Sequence, residues 1–274
     1  MNPSSTESPE LDRLVAAIQS AERYRSISPE LVCKIARLEL SKGRSFKEAL
    51  KATRNKLHQV GGAYLVQAID YAPWLKELSG LPHSLNDPAV KDFCRRMMSV
   101  HSSTRERLPF LEDFYARALS SLELVHSLLD LACGLNPLAL PWLPLAEDAE
   151  IFACDIYTDL VEFLNRFFAH LRVRGQAQVC DLTQAIPSQP VQVALLLKTI
   201  PCLEQLDKAI GPRLLAGIQA QHLLVSFPAR SLGGRSRGML QNYSAHFQEL
   251  TTGFGWNIQR FEFSNELLFV IQKM

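Results

Sequence analysis

The sequence predicts an α/β fold: an open, mostly parallel seven-stranded sheet, preceded by an all-α N-terminal domain. Three observations carry this expectation. Up to about residue 118 the apolar residues recur at helical spacing. From residue 119 onward, apolar runs of strand length alternate with longer segments. The last two runs are joined by Ser264-Asn265-Glu266 alone, too short for a crossover.

Taken in order, residues 1–9 read as a disordered tail, 10–118 as the helical domain and 119–274 as the α/β domain. Glu10–Ser20 puts Leu11, Leu14, Val15 and Ile18 on one helix face. Ser28-Pro29-Glu30 reads as an N-cap, a proline at the first helical position and an acidic first turn. The helix that follows carries Leu31, Val32, Ile35 and Leu38. Ser45 caps a helix over Phe46–Leu57, ended by Gly61-Gly62. Asp87-Pro88 opens a helix through Met98. The candidate strands are Ser127–Leu131, Ile151–Cys154, Ala177–Val179, Val191–Leu197, Leu223–Phe227, Ile258–Phe263 and Leu267–Gln272. Connections between the first five are long enough for crossover helices, which makes those strands parallel; the last two form an antiparallel hairpin.

The chain has 274 residues, 47% of them hydrophobic and 21% charged, an ordinary globular composition. The net charge of +1 hides an uneven distribution. Residues 23–58 hold ten Lys and Arg against three Asp and Glu, whereas residues 119–224 hold six against eleven. A basic block beside an acidic body points to an anionic macromolecular partner for one part of the chain. None of the six cysteines forms a C-x-x-C pair, so no metal site is expected. The polar start has no signal-peptide run, and no uncharged stretch reaches the ~20 residues of a membrane span. The expectation is a soluble, cytoplasmic monomer that does not engage a membrane.

In an open α/β sheet, ligands bind beyond the C-terminal strand ends. The first strand runs into Ala132-Cys133-Gly134-Leu135-Asn136-Pro137, whose small residues permit a tight turn and close ligand approach. The second strand ends in Asp155, placed to accept ribose hydroxyls of an adenosyl ligand. The third ends in Asp181-Leu182, where the carboxylate meets an adenine amino group and the next N–H a ring nitrogen. The fourth ends in Lys198. The missing second and third glycines argue against a dinucleotide. On this pattern alone, a tight turn in an unrelated α/β domain remains an alternative.

More specific segments span nearly the whole chain. They include His58–Tyr64, Met98–Leu108, Asp130–Pro137, Leu196–Glu204, Ser226–Arg235, Gly238–Tyr243 and Asn265-Glu266-Leu267. In these the chain resembles the aminoglycoside-resistance 16S rRNA methyltransferases of the Arm/Rmt and Sgm/Kgm group, most closely the Sgm-like branch. The resemblance implies a Rossmann-like seven-stranded S-adenosylmethionine methyltransferase domain. It implies transfer of a methyl group to N7 of a decoding-site guanine in the 30S subunit, with resistance to 4,6-disubstituted deoxystreptamine drugs. It further implies cofactor contacts by Tyr64, His101, Ser102, Ser103, Arg107, Ala132, Gly134, Asp155, Asp181, Leu182 and Leu197. Arg107 is expected to clamp the methionine carboxylate through its guanidinium fork; a salt bridge with Glu106 or Glu112 is the bland alternative. Lys198 and Glu204 are expected to shape the target pocket or to orient one another. RNA contacts are expected from Arg23, Arg25, Lys34, Arg37, Lys51, Arg54 and Lys56, and from Arg230, Arg235 and Arg237 in a Gly- and Arg-rich loop. Two other functions compete: a small-molecule methyltransferase and a non-catalytic RNA-binding protein.

Overall fold

A computed structural model describes residues 9–62, 68–229 and 238–273. Tyr64, Arg230, Arg235 and Arg237 lie outside these described residues. Four helices open the chain: α1 (Pro9–Gln19), α2 (Glu22–Arg25), α3 (Pro29–Leu40) and α4 (Phe46–Leu57). Helix α1 starts one residue inside the expected tail. Local chemistry sets the later starts. Ser28 caps α3 by accepting from the Leu31 N–H, with Pro29 at the first helical position. Ser45 and Glu48 form a reciprocal capping box on α4. The two glycines do not end α4 directly; a π-helical turn, His58–Gly62, intervenes.

Helices α5 (Ala72–Leu78), α6 (Pro88–Met98), α7 (Ser102–Arg107) and α8 (Leu111–Ala118) follow. Then come β1 (Val125–Leu131), β2 (Leu145–Asp155), α9 (Thr158–His170), β3 (Arg174–Val179) and β4 (Val191–Leu197). The chain closes with α10 (Ile200–Leu203), α11 (Ile210–Gly217), β5 (Ala220–Pro228), α12 (Met239–Thr251), β6 (Asn257–Glu262) and β7 (Glu266–Gln272). The seven-stranded sheet has the order β3-β2-β1-β4-β5-β7-β6. Its first five strands are parallel, and β7 runs antiparallel to both β5 and β6. Two expected crossover helices are replaced. A 3-10 segment, Asn136–Trp142, links β1 to β2, and residues 180–190 link β3 to β4 without a helix. Each link contains two prolines, which fix φ and remove the donors a helix needs.

Successive β1 residues face opposite sides of the sheet. Leu128 packs into a core with Phe93, Phe114 and Phe163 from α6, α8 and α9. Leu129 and Leu131 pack on the other face with Leu214 and Phe247 from α11 and α12. Helices α1–α4 keep a third core built on Leu14, Ile18, Leu31, Ile35 and Leu57. Core packing therefore divides the chain after the π-turn. The change of texture near residue 118 separates helices from strands, but α5–α8 bury their apolar faces against the sheet.

The first helical unit is joined to the sheet by backbone pairing. The Ser28 N–H donates to the Ile156 carbonyl at 2.8 Å, and the Thr158 N–H donates to the Ser26 carbonyl at 2.7 Å. Between them Ile27 bridges Tyr157. This places α2, α3 and the π-turn beside the C-terminal ends of β2 and β3.

Candidate active site

A cleft of roughly 1300 Å³, its open mouth included, lies at those strand ends. It sits where the strand order reverses between β1 and β4, the ligand position of open α/β sheets. Of the expected cofactor residues, His101, Ser103, Arg107, Ala132, Gly134, Asp155, Asp181, Leu182 and Leu197 line it, as does Lys198. Ser102 and Glu204 do not. Glu22, Arg23, Val60 and Gly61 add a wall from the first helical unit.

The turn after β1 is tight for a visible reason. Ala132 and Gly134 both have φ of 50°, in the left-handed region. A Cβ on Gly134 would stand 3.0 Å from the His101 ring, so only glycine seats the imidazole there. Burial, then Arg107, Lys198 and Arg105, lowers the His101 pKa to about 4 and keeps the ring neutral. Asp155 holds the same turn: Oδ2 accepts from the Gly134 N–H at 2.8 Å and Oδ1 from the Ile156 N–H at 2.7 Å. Burial outweighs these bonds and raises its pKa.

A buried polar network underlies the turn. Arg107, fully buried, donates from Nε to Glu266 Oε2 at 3.0 Å and from Nη2 to Oε1 at 2.6 Å. Its Nη1 donates to Asn136 Oδ1 at 2.8 Å, which also accepts from the Tyr115 hydroxyl at 2.9 Å. Asn136 Nδ2 donates to Asp130 Oδ2 at 2.8 Å. Burial pushes the Asp130 pKa up to about 7 against the pull of Asn136 and Arg107. The ion-pair partner of Arg107 is thus neither Glu106 nor Glu112 but Glu266. Lys198, with φ of 58° and buried, pairs through Nζ with Glu106 at 2.7 Å and lies 3.7 Å from Glu266. It does not pair with Glu204, whose Oε1 lies 2.8 Å from His246 Nε2 on α12.

Glu266, Ser226, Asn136, Tyr115 and Glu106 are partners of Arg107, Asn136, Glu266 or Lys198 in this network that the sequence reading did not assign. Glu266 carried one signal in the sequence, the segment Asn265-Glu266-Leu267; the fold adds that it opens a strand buried almost to its end, where a lone carboxylate needs a partner.

The expected RNA contacts divide into two sets. Arg25, Arg37 and Lys51 are exposed. Arg23, also exposed, reaches the cleft wall. Three others bond within the chain, because a long cation near an acceptor with a remaining lone pair bonds to it. Lys34 binds Asp181, Arg54 Nη2 donates to the Ala17 carbonyl at 2.9 Å, and Lys56 Nζ donates to the Gln205 carbonyl at 2.6 Å.

A sheet of this order, with strand-end carboxylates around a nucleoside-sized cleft at its switch point, defines the Rossmann-like methyltransferase class. The chain belongs to the ribosomal RNA methyltransferase (FmrO) family, whose model matches residues 20–271. It is 39% identical to a 16S rRNA (guanine(1405)-N(7))-methyltransferase of Micromonospora rosea, over 98% of this chain and 99% of that one. A relative of the same name from Frankia casuarinae is 37% identical, covering 99% and 96%. The solved structure of the 16S rRNA methyltransferase RmtF, in complex with S-adenosyl-L-homocysteine, has a TM-score of 0.82 and 31% identity, covering 98% of this chain and 100% of that one. The 16S rRNA methylase RmtB has a TM-score of 0.77 at 28% identity, covering 96% and 98%.

Proposed function

We propose that the chain methylates N7 of guanine 1405 in the 16S rRNA of the small ribosomal subunit, using S-adenosylmethionine. The observation that carries this is full-length similarity to relatives named for that reaction. The cleft supports it because its donor set fits the methyl donor. The three N–H bonds to Asp155, from Gly134, Ile156 and Tyr157, leave its carboxylate acceptor capacity for a ribose hydroxyl. Leu182 and Leu197 give apolar walls to the purine, and Asp130 lines the cleft, where a cationic ligand favours its ionised form. Three of the five Arg107 N–H groups are engaged among the described residues, which leaves two for the ligand's carboxylate.

The bound donor supplies an electrophilic methyl group. The protein's task is then small in chemistry and large in geometry. Guanine N7 carries an in-plane lone pair and no proton at neutral pH, so no base is needed. Catalysis reduces to holding the base in line and excluding water. Lys198, fixed by Glu106 at the end of β4, shapes the target side. Glu204 supports that side indirectly by holding His246 of α12. Expression in a sensitive bacterium tests the assignment: high resistance to gentamicin with retained apramycin sensitivity is expected, and gentamicin sensitivity despite soluble expression contradicts it.

The exposed part of the basic block docks the small subunit through phosphates. Binding is expected to weaken by about a thousandfold or more between roughly 50 and 200 mM salt, given six or more phosphate contacts. Charge reversal at Arg25, Arg37 and Lys51 cuts subunit binding and spares cofactor affinity. Retention of both affinities overturns the docking assignment.

A further inference from the structure

Asp181 was expected to meet the adenine amino group through its carboxylate. That carboxylate is already surrounded. Oδ1 accepts from the Thr183 N–H at 2.9 Å and from the Thr183 hydroxyl at 2.6 Å. Oδ2 accepts from Gln184 Nε2 at 3.0 Å and from Lys34 Nζ at 3.1 Å. A carboxylate offers about four acceptor positions, and these four donors fill them. The Asp181 carbonyl accepts from the N–H groups of Gln184 and Ala185 at 2.9 and 3.1 Å. Asp181 is therefore the hub of a turn over residues 181–185, and Leu182 sits in that turn, buried and lining the cleft.

Three of the donors to the carboxylate belong to the turn itself. The fourth comes from α3, 147 residues earlier in the chain. Lys34 Nζ also donates to the Thr183 hydroxyl at 2.5 Å, so it grips the turn at two points. The side chain of Lys34 is only 34% exposed. Burial opposes ionisation of Asp181, yet the bonds from Thr183, Gln184 and Lys34 hold its carboxyl below the usual range. Helix α3 does not depend on this contact for its place, because Ser28 and Ser26 bond the backbone before α9, and Ser26 Oγ donates to Asp159 Oδ2 at 2.5 Å.

We propose that Lys34 is a positioning residue for the methyl-donor site: it locks the turn anchored by Asp181, so that Leu182 meets the adenine. Asp181 then serves as the anchor of that turn and not as the acceptor for the adenine amino group. The inference rests on the reading of the cleft as the S-adenosylmethionine site. A merely stabilising tie between α3 and the sheet is the alternative. A partly exposed ion pair of that kind contributes about 1 kcal/mol or less to folding and nothing to ligand choice.

Calorimetry on the purified full chain separates these roles, with S-adenosylhomocysteine, adenosine and purine riboside as probes. Lys34→Ala is expected to weaken S-adenosylhomocysteine and adenosine alike, by about tenfold, with little change in Tm. Lys34→Arg restores most of the affinity, because a guanidinium still reaches the carboxylate. Asp181→Ala is expected to weaken adenosine and purine riboside by the same factor, since both need the turn. Unchanged affinity in Lys34→Ala overturns the proposal. Loss confined to adenosine in Asp181→Ala also overturns it, because that result marks a direct bond to the amino group. Asp155→Ala is the control for the underlying reading: if it binds S-adenosylhomocysteine as tightly as the wild type, the cleft assignment itself fails.

Discussion

Glu266→Ala is expected to cost the protein about 3–5 kcal/mol of stability, a fall of roughly 10 °C in Tm for a chain of this size. The reason is the company Glu266 keeps. Its carboxylate accepts two bonds from Arg107 and one from the Ser226 hydroxyl, and Lys198 Nζ stands 3.7 Å away. The Arg107 and Glu266 side chains are both fully buried. Removing the acid leaves a buried guanidinium without its paired carboxylate, which costs more than the pair contributes. A double variant, Arg107→Met with Glu266→Leu, is expected to recover much of the loss in thermal denaturation. It is also expected to lose cofactor affinity, because the charge that faces the ligand goes with it. The pH dependence has a defined sign. Burial raises the Glu266 pKa, but Arg107 and Lys198 outweigh it, and the folded value lies below the usual one. The stabilisation is therefore fully present above the unfolded carboxylate pKa and is lost as pH falls through the folded value. In Glu266→Ala this part of the acid destabilisation is absent.

Asp155→Ala is expected to weaken S-adenosylhomocysteine binding by about a hundredfold or more. Two effects add. The ligand loses an acceptor for its ribose, and the Gly134 and Ile156 N–H groups lose theirs, which frees the turn that cradles it. Asp155→Asn keeps one acceptor oxygen and is expected to fall between the two. A calorimetric Kd within twofold of wild type in Asp155→Ala contradicts the assignment of this carboxylate.

The legible parts of the fold were those set by neighbours in sequence. The bounds of β4 follow its apolar run, and the starts of α3, α4 and α6 follow Ser28, Ser45 and Asp87, each of which bonds an N–H within three residues. Asp155 and Asp181 line the cleft, as expected of carboxylates at strand ends in such sheets. What escaped lies in long-range pairing. Arg107 meets Glu266 across 159 residues, and Lys34 meets Asp181 across 147. Periodicity carries no information about which carboxylate a buried cation finds. For the same reason Lys34, Arg54 and Lys56 looked like free docking charges in a basic block, whereas the fold uses them internally. The division of the chain followed texture in the sequence, but α5–α8 complete the core of the sheet.

The proposed reaction is site-specific methylation of the assembled small subunit. Purified chain is incubated with methyl-labelled S-adenosylmethionine and 30S particles lacking the modification. The product RNA is then reduced, cleaved at 7-methylguanosine and mapped by primer extension. A single new stop at guanine 1405, with label incorporated in the same stoichiometry, is the expected result. Label at another position or atom, or none with particles that bind the protein, contradicts the account.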